Sequence, residues 1–249
     1  MNSYNEFASI YDELMNDFDY EKWADYIESI YKLYKVEPKE ILEMACGTGN
    51  LTYYLAKQGY NLVSFDLSSE MLTKAYEKLS RFKNVKLLNQ NMIDFNLNKK
   101  FDSVVSICDS INYIVEEEDL YLTFQNVYNH LKNGGIFSFD INSFYKLKEI
   151  IGNNTFIEDR ENVFYTWQNE FDNYNNICSF YLTFFIKDGE NYFRFDEEHE
   201  EKAYKVKEVL NLLEKVGFTK VDYFDCFTFD KLNEKSERIN FIAIKWRLN

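Results

Sequence analysis

A short apolar segment that ends in two glycines is the first candidate for chemistry in this chain. Residues 41–44 read as a β-strand, Gly47 and Gly49 follow it, and a helix is expected next. Glycine lets the backbone turn sharply and lets a ligand approach it closely, while the first amides of the helix stay unpaired at the turn. A second apolar strand, 61–65, ends in Asp66, whose carboxylate could accept hydrogen bonds from both ribose hydroxyls. Together these features predict a nucleoside-binding site.

The residues around the turn narrow the choice of nucleoside. A dinucleotide fingerprint would place a third small residue where Thr52 stands, and Glu43 adds a negative charge that would repel phosphates. Glu43, Gly47 and Gly49 fit the pattern acid-x-x-x-Gly-x-Gly, and Asp66 supplies the ribose acid. This combination resembles the first motif of the class I S-adenosylmethionine-dependent methyltransferases. The resemblance implies that the chain binds S-adenosyl-L-methionine and transfers its methyl group.

The alternation of strands and helices extends this unit into a larger α/β fold. Further apolar strands are expected at 85–89, 101–108 and 136–142, with helices between them. The near-continuous apolar run at 101–108 is typical of a parallel strand that is covered on both faces. With the resemblance, this order predicts a doubly wound, seven-stranded, Rossmann-like methyltransferase sheet with a small antiparallel β insertion.

The predicted methyltransferase domain comprises residues 1–142 and 203–249, and residues 143–202 interrupt it. The interruption carries aromatic-rich runs divided by turns, which predicts a three-stranded antiparallel β cap on the substrate side. Apolar residues in the first 36 positions have helical spacing. They predict two amphipathic helices that form an N-terminal lid at residues 1–36.

The resemblance assigns cofactor contacts to residues near the strand ends. Asn91 would accept a hydrogen bond from the adenine amino group, and Met92 would cover the ring, with ordinary core packing as the alternative for Met92. Tyr11 belongs to a segment similar to the family's Tyr-Asp lid over the methionine end of the cofactor; packing of this segment on the sheet is the alternative. The resemblance also implies contacts from Ala45, Cys46, Leu67, Met71 and Cys108, beside Glu43, Gly47, Gly49 and Asp66.

Two residues are candidates for a general base. Asp109 follows the fourth predicted strand, where relatives present the reactive side of the cofactor, although it could instead hold the cofactor's amino group or cap a helix. His199 lies in an acidic run at the end of the cap, and a solvated surface is the alternative there. Alignment of the two reactants can account for roughly 7–11 kcal/mol of the barrier, more than the ~10²–10⁴-fold gain from a base. An amine acceptor that is already neutral would therefore need no strong base.

A metal site is the weaker of the chemical possibilities. Asp109, Asp140 and Asn142 loosely resemble the ligands of metal-assisted O-methyltransferases, and their oxygen atoms suit Mg²⁺. Ile141 separates the last two, which are adjacent in that family's motif, so the preferred prediction includes no metal. The four cysteines are far apart in the sequence and predict neither metal-ligand pairs nor a disulfide framework.

Composition restricts the choice of partners. The formal charge of −14 opposes extended contact with a phosphate backbone. The single proline, Pro38, excludes the Asn/Asp-Pro-Pro-aromatic and Pro-Cys motifs of the nucleobase-modifying relatives. Residues 1–12 show no signal-peptide pattern and no apolar run approaches a membrane span. A cytoplasmic protein without membrane contact is therefore expected.

The preferred prediction is an enzyme that methylates a small-molecule acceptor, with an amine favoured over a hydroxyl group. This preference rests on similarity to the family branch with an inserted β cap, which includes glycine and sugar-amine N-methyltransferases. Two alternatives remain open: a non-catalytic module that binds S-adenosylmethionine, and an RNA methyltransferase that acts with a basic partner. The sequence does not distinguish a monomer from a homodimer.

Overall fold

The computed structural model describes residues 10–16 and 18–246, which form two β-sheets and the helices around them. The strands are β1 (Glu40–Met44), β2 (Asn61–Asp66), β3 (Val85–Asn89), β4 (Phe101–Ser106), β5 (Leu131–Asn142), β6 (Thr155–Asp159), β7 (Val163–Asp172), β8 (Ile177–Asp188), β9 (Asn191–Lys202), β10 (Lys220–Asp225) and β11 (Arg238–Ile244). The α-helices are α1 (Tyr20–Tyr34), α2 (Asn50–Lys57), α3 (Ser69–Leu79), α4 (Glu117–His130) and α5 (Val206–Val216). A 3₁₀ turn (Ser110–Tyr113) and a π-helical turn (Lys146–Ile151) follow β4 and β5.

The larger sheet has the strand order β10-β11-β5-β4-β1-β2-β3. Strands β1 to β5 are parallel, and β11 runs antiparallel to both β5 and β10. The chain winds outward from β1 in both directions, so the carboxyl ends of β1 and β4 lie side by side where the order reverses. The predicted α/β fold with a doubly wound, seven-stranded sheet is confirmed.

Helices cover both faces of this sheet, which explains its continuous apolar strands. On one face, Ile41 and Val105 pack with Trp23 of α1 and with α2. On the other face, Leu42 and Val104 pack with α4 and α5. Successive residues of a strand point to opposite faces, so neighbouring apolar residues serve separate cores. This is why the central strands lack the polar alternation of a half-exposed sheet.

The smaller sheet forms the cap, and it has four strands in the order β6-β7-β8-β9, all antiparallel. The prediction of three strands was wrong by one, because β6 was not recognised. β6 is an edge strand whose residues are mostly exposed, so its sequence carries no alternation of apolar and polar residues. Its pairing with β7, from Thr155 opposite Gln168 to Asp159 opposite Phe164, depends on tertiary contacts.

Helix α1 begins after Asp19, whose side chain accepts a hydrogen bond from the Lys22 amide at 2.9 Å. This is a conventional N-cap. The helix ends at Lys35, which adopts a left-handed conformation. Before it, residues 10–14 are helical and the chain turns at 15–16, while the start of the predicted lid lies outside the described residues. Across the described ranges, every helix is too short or too polar to cross a lipid bilayer.

Candidate active site

A cavity of about 570 Å³ lies between the carboxyl ends of the parallel strands and the cap. Open α/β sheets bind ligands at this edge, where the strand order reverses. Most of the predicted site residues line the cavity: Tyr11, Glu43, Ala45, Cys46, Gly47, Asp66, Leu67, Met71, Met92, Cys108, Asp109 and His199. The fold thus brings together residues that are up to 188 positions apart in the sequence, from Tyr11 to His199.

Two predicted cofactor residues, Gly49 and Asn91, do not line this cavity. A Cβ atom on Gly49 would lie 2.6 Å from Leu79 Cδ1 and 3.2 Å from Ala75 Cβ, so close packing of the start of α2 on α3 requires this glycine. The Asn91 side-chain oxygen accepts a hydrogen bond from the Ile93 amide at 3.0 Å. It therefore supports the turn after β3.

Asp66 braces the glycine turn. Its Oδ2 accepts a hydrogen bond from the Gly47 amide at 2.8 Å, and its Oδ1 accepts one from the Ser68 amide at 2.9 Å. Gly47 itself has a φ of 54°, a conformation that favours glycine. Burial raises the pKa of Asp66 despite these bonds. The sequence predicts that this carboxylate binds a ribose. The structure shows that the carboxylate also stabilises the glycine turn through these two hydrogen bonds.

Glu43 is fully buried beneath the turn. Its Oε2 accepts hydrogen bonds from Thr52 Oγ1 at 2.5 Å and from Ser64 Oγ at 2.9 Å. Burial raises the pKa of Glu43 to about 7. Thr52 stands where a dinucleotide-binding fingerprint would have its third glycine, and its hydroxyl group donates a hydrogen bond to Glu43. The nine-residue spacing between the acid and a hydroxyl at the buried side of α2 is the signal that sequence reasoning missed.

The N-terminal segment is attached to the turn through Asp12. Its Oδ1 accepts hydrogen bonds from Thr48 Oγ1 at 2.5 Å and Asn50 Nδ2 at 3.0 Å, and its Oδ2 contacts Lys78 Nζ at 3.0 Å. Tyr11 lies over the turn, where burial raises its pKa well above the usual value. The segment therefore closes one side of the cavity.

The residues that follow β4 have strained backbone conformations and lie among several charged side chains. Cys108 and Asp109 both have positive φ angles, 60° and 53°, and such strained residues cluster at active sites. Arg238 donates to Asp109 Oδ1 at 2.6 Å and also to Asp140 Oδ2. Burial raises the pKa of Asp140 to about 6.

The sequence did not identify Arg238 as a site residue, because only the pairing of β11 with β5 brings it to these acids. Its guanidinium engages the Asp109 carboxylate that was a candidate base, so Asp109 anchors this strand end. Arg238 is also the cation that stands between two of the three oxygen ligands considered for Mg²⁺. Within residues 10–16 and 18–246, no group of three or more His, Cys, Asp or Glu side chains is arranged to hold a metal ion.

His199 projects from the inner face of the cap. Its ring centroid lies 5.9 Å from that of Tyr113 in an edge-on arrangement, and burial lowers the pKa of His199. The acidic run around it is not uniformly solvated, because Glu197 and Glu201 are buried while Glu198 and Glu200 are exposed. The period of two in a β-strand was the signal that could have separated the two sets.

Comparison with known proteins agrees with this geometry. A family model described as a methyltransferase domain matches residues 41–135. YqeM of Bacillus subtilis, named as a methyltransferase, is 36% identical over 97% of this chain and 97% of its own length. The crystal structure of an S-adenosylmethionine-dependent methyltransferase from Clostridium acetobutylicum has 43% sequence identity and a TM-score of 0.88, covering 99% of this chain and 100% of the other. The chain belongs to the S-adenosylmethionine-dependent methyltransferases.

A third similar protein has a more specific name. The dTDP-3-amino-3,4,6-trideoxy-alpha-D-glucopyranose N,N-dimethyltransferase of Streptomyces venezuelae is 31% identical over 52% of this chain and 54% of its own length. The similarity is thus confined to about half of each methyltransferase. This partial similarity supports the family assignment, but it does not identify the methyl acceptor of this protein.

The cavity suits the family's cofactor, S-adenosyl-L-methionine. Asp66 offers carboxylate oxygens at the end of β2, where a ribose would lie. Leu67 is 69% exposed although it is apolar, and it lines the cavity with Met71 and Met92. Such a surface matches the flat face of an adenine ring. Asp66, and Glu43 when it is ionised, also make this side of the methyltransferase favourable for a positively charged sulfonium.

Proposed function

We propose that this methyltransferase transfers the methyl group of S-adenosylmethionine to the amine of a small-molecule acceptor that binds under the cap. The observation that carries this proposal is that one cavity is lined both by Asp66, on the cofactor side, and by His199 and Glu201 of the cap. A small molecule in this cavity can reach the cofactor, because the cap and the carboxyl ends of the parallel strands line the same space.

On the cofactor side, each residue has a proposed contact. Asp66 binds the ribose hydroxyls, and Leu67, Met71 and Met92 enclose the adenine. Above about pH 7, where Glu43 is ionised, it supplies negative charge beneath the methionine portion. The backbone around Ala45, Cys46, Gly47 and Cys108, with Tyr11 above it, holds the methionine portion. Asn91 and Gly49 support this arrangement from outside the cavity.

On the acceptor side, His199 is the proposed general base. Burial lowers its pKa, so the imidazole is neutral near pH 7 and can accept a proton from an acceptor ammonium group. The cofactor supplies an activated methyl group on a positively charged sulfur. The neutral acceptor nitrogen uses its lone pair to form the C–N bond while the C–S bond breaks, and that bond's electron pair stays on sulfur.

Two features support an amine as the acceptor. The acceptor side of the cavity carries a buried acid, Glu201. Its carboxyl group would attract the amine of an acceptor. The Streptomyces venezuelae relative is named for N,N-dimethylation of an amino sugar. The net charge of −14 opposes an RNA substrate.

Cofactor binding tests the first part of the proposal. Replacement of Asp66 by alanine should remove charge-assisted hydrogen bonds worth ~1.5–3 kcal/mol, which weakens binding roughly 10- to 150-fold. Calorimetry with S-adenosylhomocysteine measures this loss. Asp188→Ala, at the exposed end of β8, is the matched control and should bind normally. Equal affinities for the two variants would contradict the ribose assignment.

Methyl transfer tests the second part. The protein is mixed with methyl-labelled S-adenosylmethionine and a metabolite extract, which is then separated into amines, alcohols and RNA. Label is expected in the amine fraction. Label confined to RNA would instead favour the RNA methyltransferase alternative, and no labelled product from protein that binds the cofactor would favour a non-catalytic module.

A further inference from the structure

Three side chains at the acceptor end of the cavity form a continuous polar chain. Lys146 Nζ donates to Asn142 Oδ1 at 3.0 Å, and Asn142 Nδ2 donates to Glu201 Oε2 at 2.8 Å. All three residues line the cavity. An ammonium group and a carboxylate are thus held on opposite sides of one amide.

The two charged groups of this chain have no ion-pair partner among the described residues. Glu201 is only 3% exposed, and its single hydrogen bond comes from Asn142. Burial and the nearby Asp109 raise the pKa of Glu201, whereas Lys146 and Arg238 lower it; the net shift is upward. Burial and Arg238 lower the pKa of Lys146, whereas Asp109, Glu201 and Glu237 raise it; the net shift is downward. For both groups, burial therefore outweighs the attraction from opposite charges within the protein.

Direct contact between the two groups would have been the simplest compensation. Buried charges are ordinarily paired, because their removal from water is unfavourable. Here Asn142 separates them, and no ion pair between Lys146 and Glu201 is found in the described part of the chain. The neighbouring Arg238 is already engaged by Asp109 and Asp140. A ligand with both signs of charge would favour the ionised forms of both groups and pair with each of them.

The backbone of Asn142, which carries the amide between the charges, is fixed by a buried asparagine. The Asn142 backbone N–H donates to Asn112 Oδ1 at 2.9 Å, and Asn112 Nδ2 donates to the Asn142 carbonyl at 3.2 Å. Asn112 is fully buried, and its Nδ2 also donates to the Lys202 carbonyl of β9 at 2.9 Å. The same side chain therefore joins β5 to the strand that carries Glu201. Such support keeps the spacing of the two charges constant, as a recognition site requires.

We propose that the methyl acceptor carries an acidic group as well as its amine, so that it is an amino acid or a similar zwitterion. Glu201 binds the amine through an N–H···O hydrogen bond, and Lys146 binds the acidic group. This inference rests on the proposed function and narrows its substrate class. It also assigns a specificity role to Lys146, which has no part in the transfer of the methyl group itself.

A matched panel of amines tests this inference. The probes are glycine, β-alanine and L-phenylalanine, each compared with its decarboxylated counterpart, methylamine, ethylamine or phenethylamine. Formation of S-adenosylhomocysteine from S-adenosylmethionine gives kcat/KM for each probe. For any pair that is turned over, the amino acid should be preferred roughly 10- to 150-fold, the effect expected of one charge-assisted contact.

Substitutions then locate the preference. Lys146→Met should lower kcat/KM for the amino acids by roughly that factor and leave the decarboxylated amines within about threefold. Lys146→Arg should retain the preference. Glu201→Gln should reduce the reaction of both classes. Lys148→Met is the control, since Lys148 lies in the same turn but stands over the Phe144 ring, outside the cavity lining.

The outcomes separate this inference from the proposed function. If the decarboxylated amines react as well as the amino acids and Lys146→Met changes neither class, the zwitterion inference is wrong while amine methylation stands. If no amine of the panel is methylated and the metabolite extract yields labelled amines without an acidic group, the zwitterion inference is wrong while amine methylation stands. If the extract yields no labelled amine from protein that binds S-adenosylhomocysteine, the proposed function is wrong and the inference falls with it. Cofactor affinity, measured for every variant, excludes misfolding as the cause of a lost reaction.

Discussion

Replacement of Glu43 by glutamine should make the stability of this protein less sensitive to pH. The folded protein holds a proton on Glu43 up to about pH 7, whereas the unfolded chain releases it near the ordinary glutamate pKa of 4.5. Between these values the native state binds one more proton than the unfolded state, so stability falls as pH rises. The loss is about 1.4 kcal/mol per pH unit, or about 3 kcal/mol over the interval.

Glutamine is suited to this test because Thr52 and Ser64 both donate to the same oxygen, Glu43 Oε2. An amide oxygen in that place can accept both hydrogen bonds, and it does not titrate. The Glu43→Gln variant should therefore resemble the wild type near pH 5. It should become more stable than the wild type by about 2–3 kcal/mol at pH 8.

Urea unfolding of cofactor-free protein at intervals from pH 5 to pH 8 measures the effect. Other titrating groups are common to both proteins, so their contributions cancel in the difference. Glu118→Gln, at an exposed position in the first turn of α4, is the control and should show no such trend. A difference between wild type and Glu43→Gln that stays constant across this range would refute the assignment of a raised pKa to Glu43.

Two further substitutions test the glycine turn and the N-terminal segment. Gly49→Ala should destabilise the protein by about 2–4 kcal/mol through overpacking and a positive φ, because its Cβ would lie 2.6 Å from Leu79 Cδ1. Gly59→Ala, with a positive φ and nothing within 4 Å, should cost only about 1 kcal/mol; equal losses in thermal unfolding would rule out the packing role. Asp12→Ala should weaken S-adenosylhomocysteine binding about 3- to 10-fold in calorimetry, since it releases the segment from the turn. Glu28→Ala removes only a surface ion pair, and an Asp12 variant that binds as tightly as this control would contradict the closing role.

Local patterns were sufficient to predict the framework of the cofactor side. Apolar runs and their endings marked β1, β2 and β4, and the order of Glu43, Gly47 and Asp66 indicated the family. Such features depend on backbone conformation over a few residues and on which positions must be buried. These features can be recognised in a single sequence, and the family and the fold class inferred from them were confirmed.

The acceptor side depended on contacts between distant parts of the chain. Arg238 reaches Asp109 and Asp140 only through the register of β11 on β5. Glu201 meets Asn142 only because the cap folds back over the sheet edge. Periodicity shows which face of a strand is apolar, but it does not show which charged groups from separate elements share a cavity. The glycine turn was therefore evident from the order of residues, whereas the placement of Lys146 and Glu201 on either side of Asn142 arises only from tertiary packing.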